Sequence, residues 1–155
     1  MSSSLSEREL VIIGVDPGKE TGVVLYRKNK LREKASLPAA EVTPWVLHRL
    51  DDYDPAYFRI IIAVERYNIG PHTVKKTRQL DALDLMSQLK LTACHRHVKF
   101  RTVNQADSKK LAGDRRLKDI GWFTIGHGHI NDGARVALTT LAREDATVFA
   151  DLVGL

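Results

Sequence analysis

Leu10-Val-Ile-Ile-Gly-Val-Asp16 is an apolar, β-branched run that ends on a carboxylate, and Phe58-Arg-Ile-Ile-Ile-Ala-Val-Glu65 repeats the pattern. Near-continuous apolar runs of this length mark strands buried on both faces, as in the middle of a helix-covered sheet. Pro17-Gly18 stops the first run. Two such strands lying side by side and parallel bring Asp16 and Glu65 out at the same sheet edge, where ligands of α/β sheets sit.

The rest of the chain supplies the neighbours. Thr21 to Tyr26 reads as a second strand and, after the polar turn Arg27 to Lys30, a third runs to about Leu37, making an antiparallel meander with the first. Thr43-Pro44 has the form of a helix start, leading through Trp45, Val46 and Leu50 to a stop at Asp51 to Pro55. After Gly70-Pro71, Leu80, Leu83, Met86 and Leu89 recur at helical spacing, and Val98 to Val103 is a fifth strand. Asn104 caps a helix through Leu111 closed by Gly113, and Asp114 caps one through Ile120 closed by Gly121. One long helix is expected from about Gly128 to Asp151, with Ile130, Ala134, Ala137, Leu138, Leu141 and Val148 on its apolar side. The fold class is therefore α/β: a mixed five-stranded sheet, a three-stranded antiparallel meander plus parallel strands, flanked by helices.

The chain has 155 residues, 43% of them hydrophobic and 28% charged, which makes one domain with a substantial core and excludes a disordered chain. Met1 to Glu9, Ser-rich and charged, is expected to be a disordered tail ahead of a single domain over 10–155. It has no apolar signal segment, and no run is long enough to span a membrane, so a cytoplasmic location is expected. The single cysteine, Cys94, forms no internal disulfide and is expected to pack as a small hydrophobe. A net charge of +5 favours polyanionic partners, nucleic acid above all.

A carboxylate pair at one sheet edge gains nothing structural by repulsion, so a cluster of acids calls for a cation. His129 and Asp132 add a second pair, three residues apart on one helix face. Oxygen ligands point to Mg²⁺, with Mn²⁺ able to substitute, and two such ions can activate a water and stabilise the leaving oxygen of a phosphodiester. The plainer alternatives are a turn residue for Asp16 in Asp-Pro-Gly, a solvated strand end for Glu65, a helix N-terminal acid for Asp132 and a loop histidine for His129. His127 reads as loop.

Gly14-Val-Asp-Pro-Gly18 followed by Thr21-Gly22, a buried strand ending in Glu65, and His129-Ile-Asn-Asp132 opening a C-terminal helix together resemble the RuvC-type Holliday-junction resolvases of the RNase H-like superfamily. The resemblance runs in order from Val11 to about Leu141, and in compactness it is closest to phage-encoded members. It implies an RNase H-like fold and a metal-dependent endonuclease that cuts four-way DNA junctions symmetrically. Asp16, Glu65, His129 and Asp132 would hold two Mg²⁺ ions; the family has Asp or His at the place of His129. It also implies a homodimer, with the helical segment Thr73 to Leu91 as its surface. That segment reads Gln79-Leu-Asp-Ala-Leu-Asp-Leu85 and lacks the Gly-containing pattern of the bacterial enzymes.

Basic residues are candidates for phosphate contacts: Lys75, Lys76 and Arg78 after Glu65, the stretch His95 to Arg101, Lys109-Lys110, and Arg115, Arg116 and Lys118. The resemblance favours Lys109 and Lys110, a Lys pair ahead of a glycine on the DNA side. Tyr67 is a candidate for stacking on an unpaired base, whereas Trp122 and Phe123 read as core or loop packing. Three other readings fit parts of the pattern: an RNase H-like nuclease for flap DNA, branched DNA or structured RNA; a sugar-kinase-like nucleotide binder, which needs two such halves; and a non-catalytic junction binder, for which a missing acid would be the sign.

Overall fold

The computed structural model describes residues 4, 7–66 and 78–155, with side chains from 81 onward in the last stretch. Its centre is a five-stranded sheet in the order β3-β2-β1-β4-β5. Strands β1 (Glu9–Asp16), β2 (Glu20–Arg27) and β3 (Lys30–Pro38) form the antiparallel meander, while β4 (Phe58–Glu65) and β5 (Lys99–Val103) run parallel to β1. Lys28 and Asn29, both at positive φ, make the two-residue turn between β2 and β3.

The two runs that lack alternation do so because helices cover both faces of β1 and β4. Val11, Ile13 and Val15, with Ile60, Ile62 and Val64, face α1 (Ala39–Asp51) and α2 (Arg78–Arg96). Ile12, Ile61 and Ala63 face α5 (Gly128–Glu144). Side chains alternate along a strand, so Asp16 continues the Ile12–Gly14 side and Glu65 the Ile61–Ala63 side. Both acids therefore leave the sheet on the α5 face.

Several expected boundaries shift, each for a local reason. Strand β1 begins at Glu9, whose carboxylate pairs with Arg27 at 3.0 Å, and Arg8 donates to the carbonyl of Pro55, so these two residues belong to the fold rather than to a tail. Helix α1 starts at Ala39, not at Thr43-Pro44: two alanines extend it backwards and bury Val42 in line with Val46 and Leu50. Pro44 lies inside the helix, and the Thr43 hydroxyl donates to Gln88 on α2 at 2.8 Å rather than capping. The buried stripe of α2 is Ala82, Leu85, Leu89 and Ala93, with Leu83 and Met86 at its margin. Cys94 falls off that stripe and is exposed, contrary to expectation.

Asn104 caps α3 (Gln105–Leu111) by accepting from the amide of Ala106 at 2.8 Å. Gly113, rather than Asp114, stands at the cap of α4 (Asp114–Asp119). The expected long C-terminal helix is two: α5 ends at Glu144, the backbone turns out of helical geometry at Asp145, and the Asp145 carboxylate caps α6 (Ala146–Val153) through the amide of Val148. Glu144 gathers Arg59, Lys99 and Arg101 at 3.2 to 3.6 Å and ties the end of α5 to β4 and β5. No helix among the described residues is long and apolar enough to cross a membrane.

Candidate metal and nucleic-acid site

The parallel register sets Val15 opposite Val64, so Asp16 and Glu65 emerge side by side. The loop after Asp16 is closed by the buried Thr21, whose hydroxyl accepts from the Gly18 amide and donates to the Gly18 carbonyl. That contact explains why Thr follows Asp-Pro-Gly at this spacing, and it fixes the exit of Asp16.

Helix α5 reaches the site because glycines let its first two turns lie on bare backbone. A Cβ on Gly22 would stand 1.7 Å from the His129 carbonyl oxygen, and one on Gly14 would stand 2.5 Å from the Gly133 carbonyl oxygen. Only glycine permits this approach. The buried Asn131 pins the preceding loop, donating to the Thr124 carbonyl at 2.9 Å and accepting its amide at 2.8 Å. His129 and Asp132 thus stand above the sheet edge, with His129 Nδ1 at 3.3 Å from Asp16 Oδ2.

The electrostatics are those of crowded acids. Burial pushes the Asp16 carboxyl up to about 6, against a hydrogen bond to Glu65 and the pull of Lys109 and Arg135. Burial, then the neighbouring Asp16, pushes Glu65 up to about 8. Asp132 is also raised by burial, opposed by Lys109 and His129. The set has the chemistry of a hard-cation site: three carboxylates that repel one another and an imidazole beside them. As the side chains stand, no three of His, Cys, Asp or Glu among the described residues close around one point, and Asp132 is engaged by Arg135.

Lys109, exposed on α3, lies close enough to act on Asp16, Glu65 and Asp132, and Lys110 beside it is exposed. Arg115 is exposed on α4. Arg116 is committed to the fold, donating to the Leu111 carbonyl at 2.7 Å and lying over the Phe149 ring, and the Lys118 ammonium lies 4.6 Å from the centre of the Phe123 ring. In the 95–101 stretch, Arg96 pairs with Asp51, and Lys99 and Arg101 serve Glu144. Trp122 is core, tilted against Tyr26. Tyr67, Lys75 and Lys76 lie outside the described residues, as does the side chain of Arg78.

Sequence reasoning missed Arg135 and Asp114. The Arg135 guanidinium donates to both Asp132 and Asp114, bridging α5 and α4 at the margin of the acid cluster. The readable signal was Asp132-x-x-Arg135, an i, i+3 pair on the face that carries the site.

No protein-family model matches this chain, and no curated protein matches its sequence. Among solved structures, Thermus thermophilus RuvC in complex with a Holliday junction substrate is similar at a TM-score of 0.67 and 18% identity, over 88% of this chain and 96% of that one. A second structure of Thermus thermophilus RuvC is similar at a TM-score of 0.60 and 15% identity, over 93% of this chain and 96% of that one. The fold is the RNase H-like fold of RuvC.

Proposed function

We propose that this chain is a metal-dependent endonuclease that resolves four-way DNA junctions by symmetric phosphodiester hydrolysis, in the service of DNA recombination and repair. The observation that carries the reading is the meeting of Asp16, Glu65, His129 and Asp132 on one face of one sheet edge, with Lys109 beside them. The similar fold of a RuvC whose structure holds a Holliday junction substrate supports the same reading.

Asp16, Glu65, Asp132 and His129 would hold two Mg²⁺ ions, or Mn²⁺ in their place. Such ions supply the charge that activates a water and stabilises the departing oxygen. The chain's own part is to set that charge in place and to dock the backbone. Asp16 and Glu65, both raised by burial, would hold the cations in their charged forms, so metal binding would be favoured at higher pH. His129, held at 3.3 Å from Asp16 and largely exposed, is placed to ligate or to carry a proton at the solvent side. Lys109 and Lys110 offer phosphate contacts that bind without reading bases. A homodimer, with α2 supplying part of its surface, would present two such sites to the two opposed strands of a junction.

The test is cleavage of an end-labelled synthetic four-way junction beside a linear duplex and a flap of the same sequence, with Mg²⁺, with chelator, and with Asp16→Asn. Paired symmetric nicks on the junction that require both metal and Asp16 are expected. Cutting mainly of flap or duplex would keep a metal nuclease and discard junction resolution; binding with no cut would make the protein a junction binder.

A further inference from the structure

Arg135 is an unusual residue to find against a cation site. Its side chain is only 12% exposed, it points one positive charge at the very carboxylates that would hold metal, and its Nε is buried without a hydrogen-bond partner. One terminal nitrogen donates to Asp132, one turn earlier on α5, and the other donates to Asp114 on α4, which is mostly exposed. The guanidinium stays charged, and besides its two direct partners it feels the attraction of Glu65 and Asp16.

A buried guanidinium is costly unless acids surround it, and a buried acid cluster is costly unless a cation does. Each here answers the other's need. We propose that Arg135 is the resident counter-ion of the acid site: it holds Asp132 in the metal-free protein and must release it before divalent ions take the cluster. Asp114 is the outer anchor toward which the guanidinium withdraws. Arg135 acts through Asp132 and is a positioning residue. This rests on the metal-dependent reading above and adds that metal affinity is set by an internal competitor.

The pairing makes opposite predictions at its two ends. Removing the competitor in Arg135→Met is expected to tighten Mn²⁺ binding about tenfold, because a positive charge leaves the site and Asp132 is freed. Removing the outer anchor in Asp114→Asn is expected to weaken it severalfold, since the guanidinium then has only Asp132 to hold. Arg135→Lys, which keeps the charge but not the two-ended fork, should fall between wild type and Arg135→Met.

The experiment is direct Mn²⁺ titration of the full chain, reading free Mn²⁺ by its electron paramagnetic resonance signal, with Asp16→Asn as the site control and no DNA present. Tighter binding in Arg135→Met and weaker binding in Asp114→Asn bear the proposal out. Should Arg135→Met not fold, Arg135→Lys and Asp114→Asn moving in opposite directions carry the same decision. Unchanged or weaker binding on loss of Arg135, with Asp16→Asn abolishing the site, overturns the counter-ion role and leaves the metal reading intact. Wild type binding no better than Asp16→Asn overturns both.

Discussion

Gly22 on β2 and the carbonyl of His129 on α5 are in backbone contact, so close that a Cβ on Gly22 would stand 1.7 Å from the oxygen. The position of the histidine relative to the sheet is thereby set by main chain rather than by rotamers. Gly22→Ala has no flexible neighbour to displace and must lift the first turn of α5. A loss of about 3 kcal/mol in stability is expected. Denaturant unfolding checks it, and Gly18→Ala, whose Cβ would meet only the Glu20 carbonyl at 3.1 Å, should cost much less.

The acids are expected to separate cutting from binding. Asp16→Asn, Glu65→Gln and Asp132→Asn should each abolish cleavage while junction affinity is kept or tightened, because a carboxylate that repels phosphate has been neutralised. Gel-shift titration beside the cleavage assay decides it; loss of binding in a folded variant would contradict the assignment.

His129→Ala should lower the cleavage rate rather than abolish it, and should shift the ratio of rates in Mg²⁺ and Mn²⁺, as imidazole is the softest donor of the set. An unchanged rate in Mg²⁺ would remove His129 from the site.

Without metal, stability should fall as pH rises. Asp16 and Glu65 titrate at about 6 and about 8 in the fold, against ordinary values of 3.8 and 4.5. The folded state holds the extra protons between those limits, so the stabilisation is complete below about pH 4 and lost by about pH 8. Calorimetry in chelator at pH 5, 6.5 and 8 should show Tm falling at each step. Glu65→Gln should flatten the upper part of the curve. A Tm that climbs over this interval would mean that the carboxyl groups are not crowded as described.

Lys109→Met and Lys110→Met should each weaken junction binding and reduce its salt slope by about one. Arg116→Met should instead lower stability and leave the slope alone, since its guanidinium is spent on Leu111 and Phe149.

The parts of the fold legible in the chain were those where pattern and burial coincide. Leu10 to Asp16 and Ile60 to Glu65 are apolar on both faces and end on acids, and β1 and β4 are buried on both faces with those acids adjacent. Helix ends were less legible because local chemistry had competing uses: Thr43-Pro44 has the form of a cap yet sits inside α1, and Asp145 reads as an interior acid yet divides α5 from α6. Arg135 was overlooked because a lone arginine on a helix usually faces water, and only the packing of α4 against α5 gives it two acids. Cys94 shows the converse: a residue type that is usually buried falls one step off the packed stripe of α2.

The contact between Gly22 and the start of α5 also bears on how the molecule acquires its site in time. The meander β1–β3 is local and can form early, whereas the β1–β4 pair and the docking of α5 join segments far apart in the chain, with a large loop-closure entropy to overcome. The acid cluster is consequently expected to be among the last features to assemble. In a refolding experiment, the fluorescence of Trp122, which packs against Tyr26 in the core beneath α5, should change together with the recovery of Mn²⁺ binding, both lagging the rise of secondary structure.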